Sequence, residues 1–175
     1  TYESRLAYTL FLMASQMTAT GDAPRALAML DEARDIYGRI LHFGDNDELS
    51  GYSLLVEAAR AATLAKLGRF EAARDSAAQL LRARRERWAA DPGNHAKRRE
   101  IATALRRVGE VELRAGDSAA ACVSFVAAGE IWDDMERNGR LLAFDLMPLN
   151  CQVPWILGQL QRCPSSPSGR GAAAL

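Results

Sequence analysis

The sequence predicts an all-α protein, an α-solenoid of three helix hairpins followed by a C-terminal capping helix. Gly21, Gly68 and Gly116 lie 47 and 48 residues apart, and each is followed five positions later by an alanine, at 26, 73 and 121. A short sequence motif that recurs with such a period is typical of stacked supersecondary units. Composition agrees, because 49% of the residues are hydrophobic but only 7% are aromatic, which favours small side chains between helices.

The first hairpin begins with a helix predicted over Tyr2–Ala19, where apolar residues recur at helical spacing. Gly21 ends this helix, because glycine supplies the left-handed conformation that a helix C-terminus needs. Asp22 can cap the second helix, and Pro24 is tolerated in its first turn, where the missing N–H would be unpaired in any case. The second helix is predicted to end near Leu41.

The next two hairpins follow the same order. After a break at 42–47, acidic residues favour the start of a third helix that runs to Leu67. The fourth helix follows Gly68 and ends at the Asp-Pro-Gly-Asn turn of residues 91–94. The fifth and sixth helices are predicted over His95–Ala115 and from Ser118 to about Asn138.

Beyond the sixth helix the apolar periodicity weakens. Pro148 interrupts the chain, and Val153–Gln161 is predicted to form a last helix that covers the apolar end of the stack. Residues 164–175 are predicted to be a flexible tail, vector-derived in part because its end resembles a cloning remnant; a natural tail is the alternative. The predicted domain is thus 1–163, with repeats at about 4–42, 47–90 and 95–138 and a cap at 139–163.

Charge and cysteine content limit the class of protein. The formal net charge is zero and the isoelectric point is 6.7, so the whole-chain charge favours neither a nucleic acid nor a membrane as partner. No apolar run is long enough to cross a membrane. Cys122, Cys151 and Cys163 are odd in number and lack the paired spacing of a zinc site. We therefore expect reduced thiols and a cytoplasmic protein.

The repeated phrase resembles the tetratricopeptide repeat (TPR). The third copy matches best, and the residues at the family's characteristic spacings are Leu105, Val108, Gly109, Gly116, Asp117, Ala121, Phe125 and Ala128. The second copy has Ala61 where the family has a glycine, and the first copy keeps fewer positions. The resemblance implies hairpins stacked into a superhelix whose concave wall is lined by the first helix of each pair.

The unit is longer than the 34 residues of a usual TPR. Because the helix through residues 79–88 continues without a breaker, we expect the extra residues to lengthen the second helix of each hairpin. Such long units, with a basic segment after the Asp-Pro-Gly-Asn turn, are similar to the C-terminal repeat regions of large bacterial signalling proteins, notably eukaryotic-type serine/threonine kinases. The segment has no kinase glycine loop, catalytic aspartate or metal ligands, so no kinase activity is implied.

Candidate catalytic and metal-binding residues are few. His42 and His95 each lie beside a turn between helices, where a cap or surface role is favoured over metal binding. Cys122 lies among alanines, as a buried small side chain does. Asp133 and Asp134 are adjacent on a helix and point about 100° apart, which favours a solvated face over a shared carboxylate site. We expect no enzymatic activity, no cofactor and no metal.

One stretch, Arg82 to Arg107, is strongly basic. A solvated face with ion pairs to neighbouring acidic residues is one interpretation, and a site for an acidic peptide or a nucleic-acid backbone is the other. Trp88 is the only aromatic residue among these basic residues, which weighs against single-stranded nucleic acid.

The first functional hypothesis is a protein–protein interaction module that binds a peptide, for instance an acidic one, or a partner helix in its concave groove. It would be a regulatory or recruitment segment of a larger bacterial protein. The resemblance places these residues in the groove: Tyr8, Phe11 and Ser15 from the first copy, Leu55, Ala58, Ala62 and Lys66 from the second, and Thr103, Arg106, Glu110 and Arg114 from the third. The family's clamp for a C-terminal carboxylate uses asparagine and lysine, which Ser15, Ala62 and Glu110 replace here.

The second hypothesis is a structural or dimerisation segment that spaces a catalytic domain lying outside this chain. An apolar patch around Tyr8, Phe11 and Leu12 at the N-terminal edge would favour a homodimer.

Overall fold

The computed structural model describes residues 2–44, 46–142, 145 and 152–163, with residues 152–155 described by their backbone alone. These residues form seven α-helices, α1 (Tyr2–Thr20), α2 (Ala23–His42), α3 (Asp47–Lys66), α4 (Phe70–Ala89), α5 (His95–Arg114), α6 (Ser118–Arg137) and α7 (Gln152–Leu160). The first six pair in sequence as three hairpins, and α7 packs on α6. The predicted all-α solenoid with a C-terminal helix is confirmed. The predicted break at Pro148 and the tail 164–175 lie outside the described residues.

The three repeated glycines make the turn inside each hairpin. Gly21, Gly68 and Gly116 have φ angles of 103°, 72° and 86°, a left-handed conformation that other residues adopt only at a cost. In each turn the next backbone N–H reaches back to the carbonyl five residues earlier, as in the 3.0 Å bond from Arg69 N to Leu64 O. This bond satisfies a carbonyl at the end of the first helix of the hairpin. The recurring glycine therefore ends one helix and forms the turn to the next in every repeat.

The connections between hairpins use asparagine. Asn46 precedes α3 and accepts a hydrogen bond from Leu49 N at 3.0 Å, and Asn94 precedes α5 and accepts from Ala96 N at 3.1 Å. Each side chain satisfies a donor that the first turn of the helix leaves unpaired. The two asparagines lie 48 residues apart, so the period governs these connections as well as the hairpin turns.

Small residues allow the helices to pack closely. Ala26, Ala73 and Ala121 are all buried, as their place five residues after each turn glycine predicts. The closest approach is at Gly109 of α5, where a Cβ atom would lie 2.2 Å from ring atom Cε1 of Phe125 in α6. Phe125 can therefore occupy the core between α5 and α6 only because position 109 has no side chain.

The extra length of the repeat is distributed differently from our expectation. We expected the second helix of each hairpin to be longer, but α3, α4, α5 and α6 each have 20 residues. Two helices of equal length bury their facing sides along the whole hairpin, whereas a longer second helix would leave its last turns uncovered. The surplus therefore extends both helices.

The C-terminal helix lies antiparallel to α6 over the end of the stack. Ile156 is buried in the core cluster of α5 and α6, and Leu160 approaches Gly129 so closely that a Cβ there would lie 3.0 Å from it. Cys122 lies seven residues before Gly129, and Cys163 lies seven residues after Ile156. These two cysteines form a disulfide bond. The expectation of reduced thiols is wrong for these two cysteines, because antiparallel packing brings together residues 41 positions apart in sequence. Cys151 lies outside the described residues.

Candidate interaction groove

The first helices of the hairpins form one wall of the stack. Helix α3 contacts α1 on one side and α5 on the other, in addition to its contacts with α2 and α4. Because successive hairpins repeat with the same orientation, residues 47 or 48 positions apart lie side by side along this wall. The predicted groove residues thus fall into rows, from Tyr8, Leu55 and Thr103 at one end to Lys66 and Arg114 at the other.

The part of the groove formed by the second and third turns of α1 and α3 is apolar. Tyr8 and Leu55 are 39% and 41% exposed, so both present apolar surface to solvent. The Tyr8 ring packs against Tyr52 of α3 at a centroid distance of 5.1 Å and against Phe11 at 6.0 Å. These contacts fix the rings between α1 and α3 in an arrangement favourable for aromatic pairs. This end can hold an apolar side chain of a partner.

The middle of the groove is lined by small side chains from α1 and α3 and by charged side chains from α5. Ser15 donates its hydroxyl to the carbonyl of Phe11 at 2.9 Å, and Ala62 is half-buried. Glu110 of α5 accepts from Arg106 Nε at 2.8 Å and from Arg107 Nη1 at 2.5 Å. One carboxylate between two guanidinium groups leaves a net positive charge on this part of α5. Glu110 therefore holds the two arginines in place rather than making the surface acidic.

The far end of the groove is basic. Lys66 and Arg114 are exposed, and each stands two residues before a turn glycine in its repeat. Lys66 Nζ donates to the carbonyl of Thr18 at 2.8 Å, within the last turn of α1, where a cation is favourable. Arg114 has no side-chain partner among the described residues. Both cations can therefore bind a carboxylate of a partner. Arg114 has all its N–H donors available, and Lys66 has the N–H donors that do not bind Thr18.

Most of the basic stretch Arg82 to Arg107 is paired inside the protein. Arg84 is buried and forms an ion pair with Glu100 of α5; burial lowers the pKa of its guanidinium, and Glu100 opposes that shift. Arg87 Nη2 reaches Asp47 across the stack at 2.8 Å. The further pairs are Lys97 with Asp91, Arg98 with Asp134, and Arg99 with Asp145. These pairs join a helix to another helix or to a neighbouring connection, and only part of the stretch presents free positive charge.

Sequence reasoning did not find the polar contacts that join separate helices. Arg60 of α3 donates to Asp31 of α2 at 2.6 Å, and Glu57 of α3 accepts from the Ser76 hydroxyl of α4 at 2.5 Å. Arg74 of α4 similarly binds Glu112 of α5 at 2.9 Å. The only signal in the sequence is a polar residue at a half-buried helix position, which does not identify its partner. Such pairs require the packing to be known.

The described residues do not assemble a metal site. Among them, no group of three or more His, Cys, Asp or Glu side chains could hold a metal ion. His42 is exposed and His95 is half-buried, both next to the connections between hairpins. No helix in the described part of the chain is long and apolar enough to span a membrane.

Comparison with known proteins supports the fold. No family model matches the sequence, and no curated protein matches it either. A crystal structure of a TPR-like protein from Chlorobium tepidum is similar to this chain, with a TM-score of 0.61 and 19% sequence identity over 92% of this chain and 96% of that one. At this level of identity the likeness establishes a TPR-like helical repeat fold over nearly the whole length of both chains.

Proposed function

We propose that the protein is an interaction scaffold whose concave groove binds a segment of a partner protein with an apolar part and an acidic part. The observation behind this proposal is the change along the groove from the exposed Tyr8 and Leu55 to the exposed Lys66 and Arg114. A partner aligned with the helices would place its apolar side chains at the first end and its carboxylates at the second. Charge complementarity of this kind determines orientation and the rate of association.

The resemblance of the long repeats to regions of bacterial signalling proteins supports a recruitment role, in which the groove brings a partner to a larger protein. The disulfide changes the proposed setting. Disulfides persist mainly in oxidising compartments, so the bond between Cys122 and Cys163 weighs against the cytoplasmic location that we expected from the sequence. We therefore propose that the protein works in an oxidising compartment, where this disulfide can form.

Binding of a fluorescent peptide tests the groove. The probe has leucines in its first half and glutamates in its second, and fluorescence anisotropy measures its dissociation constant. Arg114→Glu and Lys66→Glu, which reverse charges at the basic end, should each weaken binding by about tenfold, because each replaces an attraction by a repulsion. Reversing Arg106 and Arg114 together should weaken it further while the helical circular dichroism signal persists.

The matched control is Arg25→Glu, which reverses an exposed arginine on α2, outside the groove. It should leave the dissociation constant unchanged. Equal loss of binding in Arg25→Glu and Arg114→Glu would mean that the peptide responds only to net charge, and the groove would then not be its site.

A second function, self-association, is favoured by the free side of α1. Tyr2, Leu6 and Met13 are 82%, 38% and 49% exposed, and their spacing places them on one side of the helix. An apolar stripe of this kind suits a contact between two copies of the chain. Sedimentation velocity tests it, since Met13→Glu should dissociate such a dimer; a parent protein that is monomeric at high concentration would exclude it.

A further inference from the structure

A second groove lies on the opposite side of α5 from the candidate interaction groove. Its floor is formed by Arg98, Ile101 and Leu105 of α5, and its walls by the last turns of α4 and the second half of α6; it encloses about 500 Å³. Leu105 lies two residues from Thr103, about 200° around the helix, so the two grooves use opposite faces of α5. We call it the outer groove.

The floor of the outer groove differs in chemistry from the corresponding part of α3 in the preceding repeat, because Leu105 stands where α3 has Glu57. There, Glu57 of α3 accepts from Ser76 and Arg60 donates to Asp31, which ties three helices together. At the positions 48 residues later the chain has Leu105 and Val108 in place of Glu57 and Arg60. Leu105 lines the groove and cannot make the polar bridge that Glu57 makes, so the floor is apolar at this position.

The walls of the outer groove have opposite charges. Arg85 on α4 and Glu130 on α6 both line the groove and are exposed, and neither has an ion-pair partner among the described residues. Arg98, at one end of the floor, is instead paired with Asp134. Trp88 and Ile131 supply apolar surface below the two free charges. An occupant must therefore be apolar on the side facing the floor, acidic on one flank and basic on the other.

We propose that the outer groove binds an amphipathic helix of a partner protein, with two turns of apolar side chains on its floor and oppositely charged flanks. The floor residues span Arg98 to Leu105, which corresponds to about 10 Å along α5, or two helical turns. Helix α6 already binds one such helix on another side, since α7 buries Ile156 and Leu160, four residues apart, against it. This interaction surface is distinct from the concave groove and does not depend on it.

Two synthetic helical peptides of about four turns test the proposal, both with leucines at i, i+4 and i+7. The mixed peptide has glutamates along one flank and lysines along the other, and the basic peptide has lysines along both. The parent protein should bind the mixed peptide more tightly in fluorescence anisotropy. In Arg85→Glu both walls are acidic, so the mixed peptide should bind about tenfold more weakly and the basic peptide more tightly than to the parent.

Two control variants make the result specific. Arg82→Glu reverses an exposed charge one turn earlier on α4 that does not line the groove, and Arg114→Glu reverses one in the concave groove. Neither should change the preference between the two peptides. If Arg82→Glu and Arg85→Glu have equal effects, or if the parent binds neither peptide, the proposal is wrong.

Other occupants would give different results. If a small apolar dye binds and Ile131→Glu abolishes its fluorescence while no peptide binds, the groove holds a small molecule, and the proposal fails. If sedimentation shows a dimer that Arg85→Glu dissociates, the groove holds a second copy of the chain, and the proposal also fails. Far-ultraviolet circular dichroism of Ile131→Glu and of Arg85→Glu tests whether each variant is folded.

Discussion

Replacing Gly109 by alanine should destabilise the protein because of the close packing of α5 against α6. An added Cβ would lie 2.2, 2.6 and 2.8 Å from three atoms of the Phe125 ring. That ring is 1% exposed and belongs to the core cluster with Ile101 and Trp132, so it cannot move aside without disturbing its neighbours. Overpacking of this kind costs about 1–3 kcal/mol.

The same substitution also has a favourable effect, since alanine is a better helix former than glycine by about 1 kcal/mol. Gly38 of α2 isolates that effect. It is a helical glycine with no heavy atom within 4 Å of the place where a Cβ would lie. We expect Gly38→Ala to stabilise the protein by about 0.5–1 kcal/mol and Gly109→Ala to destabilise it by about 1–2 kcal/mol.

Urea denaturation followed by circular dichroism measures both free energies of unfolding. Their difference gives the cost of overpacking without the contribution of helix propensity. Adding Phe125→Leu to Gly109→Ala should recover stability relative to the sum of the two single changes, with a coupling energy of about 0.5–3 kcal/mol. A Gly109→Ala variant as stable as Gly38→Ala would refute the close contact between position 109 and Phe125.

Three further substitutions test the packing, the disulfide and the buried ion pair. Ala121→Leu should destabilise the protein by about 1–3 kcal/mol in urea denaturation, because position 121 is buried between α5 and α6; unchanged stability would contradict the repeat alignment. Cys163→Ser opens a loop of 41 residues and should cost about 4 kcal/mol in the chain-entropy estimate; a parent protein whose melting temperature is the same with and without a thiol reductant would contradict a stabilising disulfide. Glu100→Ala leaves the buried Arg84 guanidinium without its carboxylate and should cost about 3 kcal/mol, the low end for a buried pair because Glu100 is partly exposed. Adding Arg84→Met removes the unpaired charge and should restore part of that stability; a double variant no more stable than Glu100→Ala would contradict the explanation by an unpaired charge.

The hairpins could be predicted from the sequence because their determinants are local. A glycine with positive φ, an aspartate or asparagine at a helix N-terminus and an alanine at a fixed distance each act within one turn of the chain. Gly68 illustrates this: its place after an apolar helix predicts both the end of α3 and the start of α4. The boundaries accordingly differ from the predicted ones by only a residue or two.

The polar contacts between helices could not be predicted in the same way. Whether Arg87 lies in solvent or binds Asp47, 40 residues away, depends on which face of α4 turns towards α3. The hydrophobic pattern gives that face only approximately, because polar residues occupy half of the positions of α4. Tyr8, Leu55 and Thr103 lie one repeat apart, so the period alone predicts that they share a row of the wall; that a partner binds there stays a prediction.

The last helix illustrates how the stack ends without a further hairpin. Helix α7 has 9 residues and α6 has 20, so α7 is about 14 Å long and can cover about half of its partner. The chain is also held at two other points. Cys163 is bonded to Cys122 near the start of α6, and the buried Asp145 accepts from Arg99 Nε at 3.0 Å and from Leu142 N at 2.9 Å.

A short cap therefore relies on two specific bonds where a complete hairpin would rely on apolar area. Only the disulfide is sensitive to a thiol reductant, so its contribution to the cap can be measured separately from that of the ion pair between Arg99 and Asp145. A thiol reductant breaks the disulfide and frees the end of α7 while Arg99 still holds Asp145 against α5. Amide hydrogen exchange should therefore increase near Cys163 upon reduction, while the Leu142 amide, which donates to Asp145, stays protected; equal loss of protection at both would mean that the cap opens as a single unit.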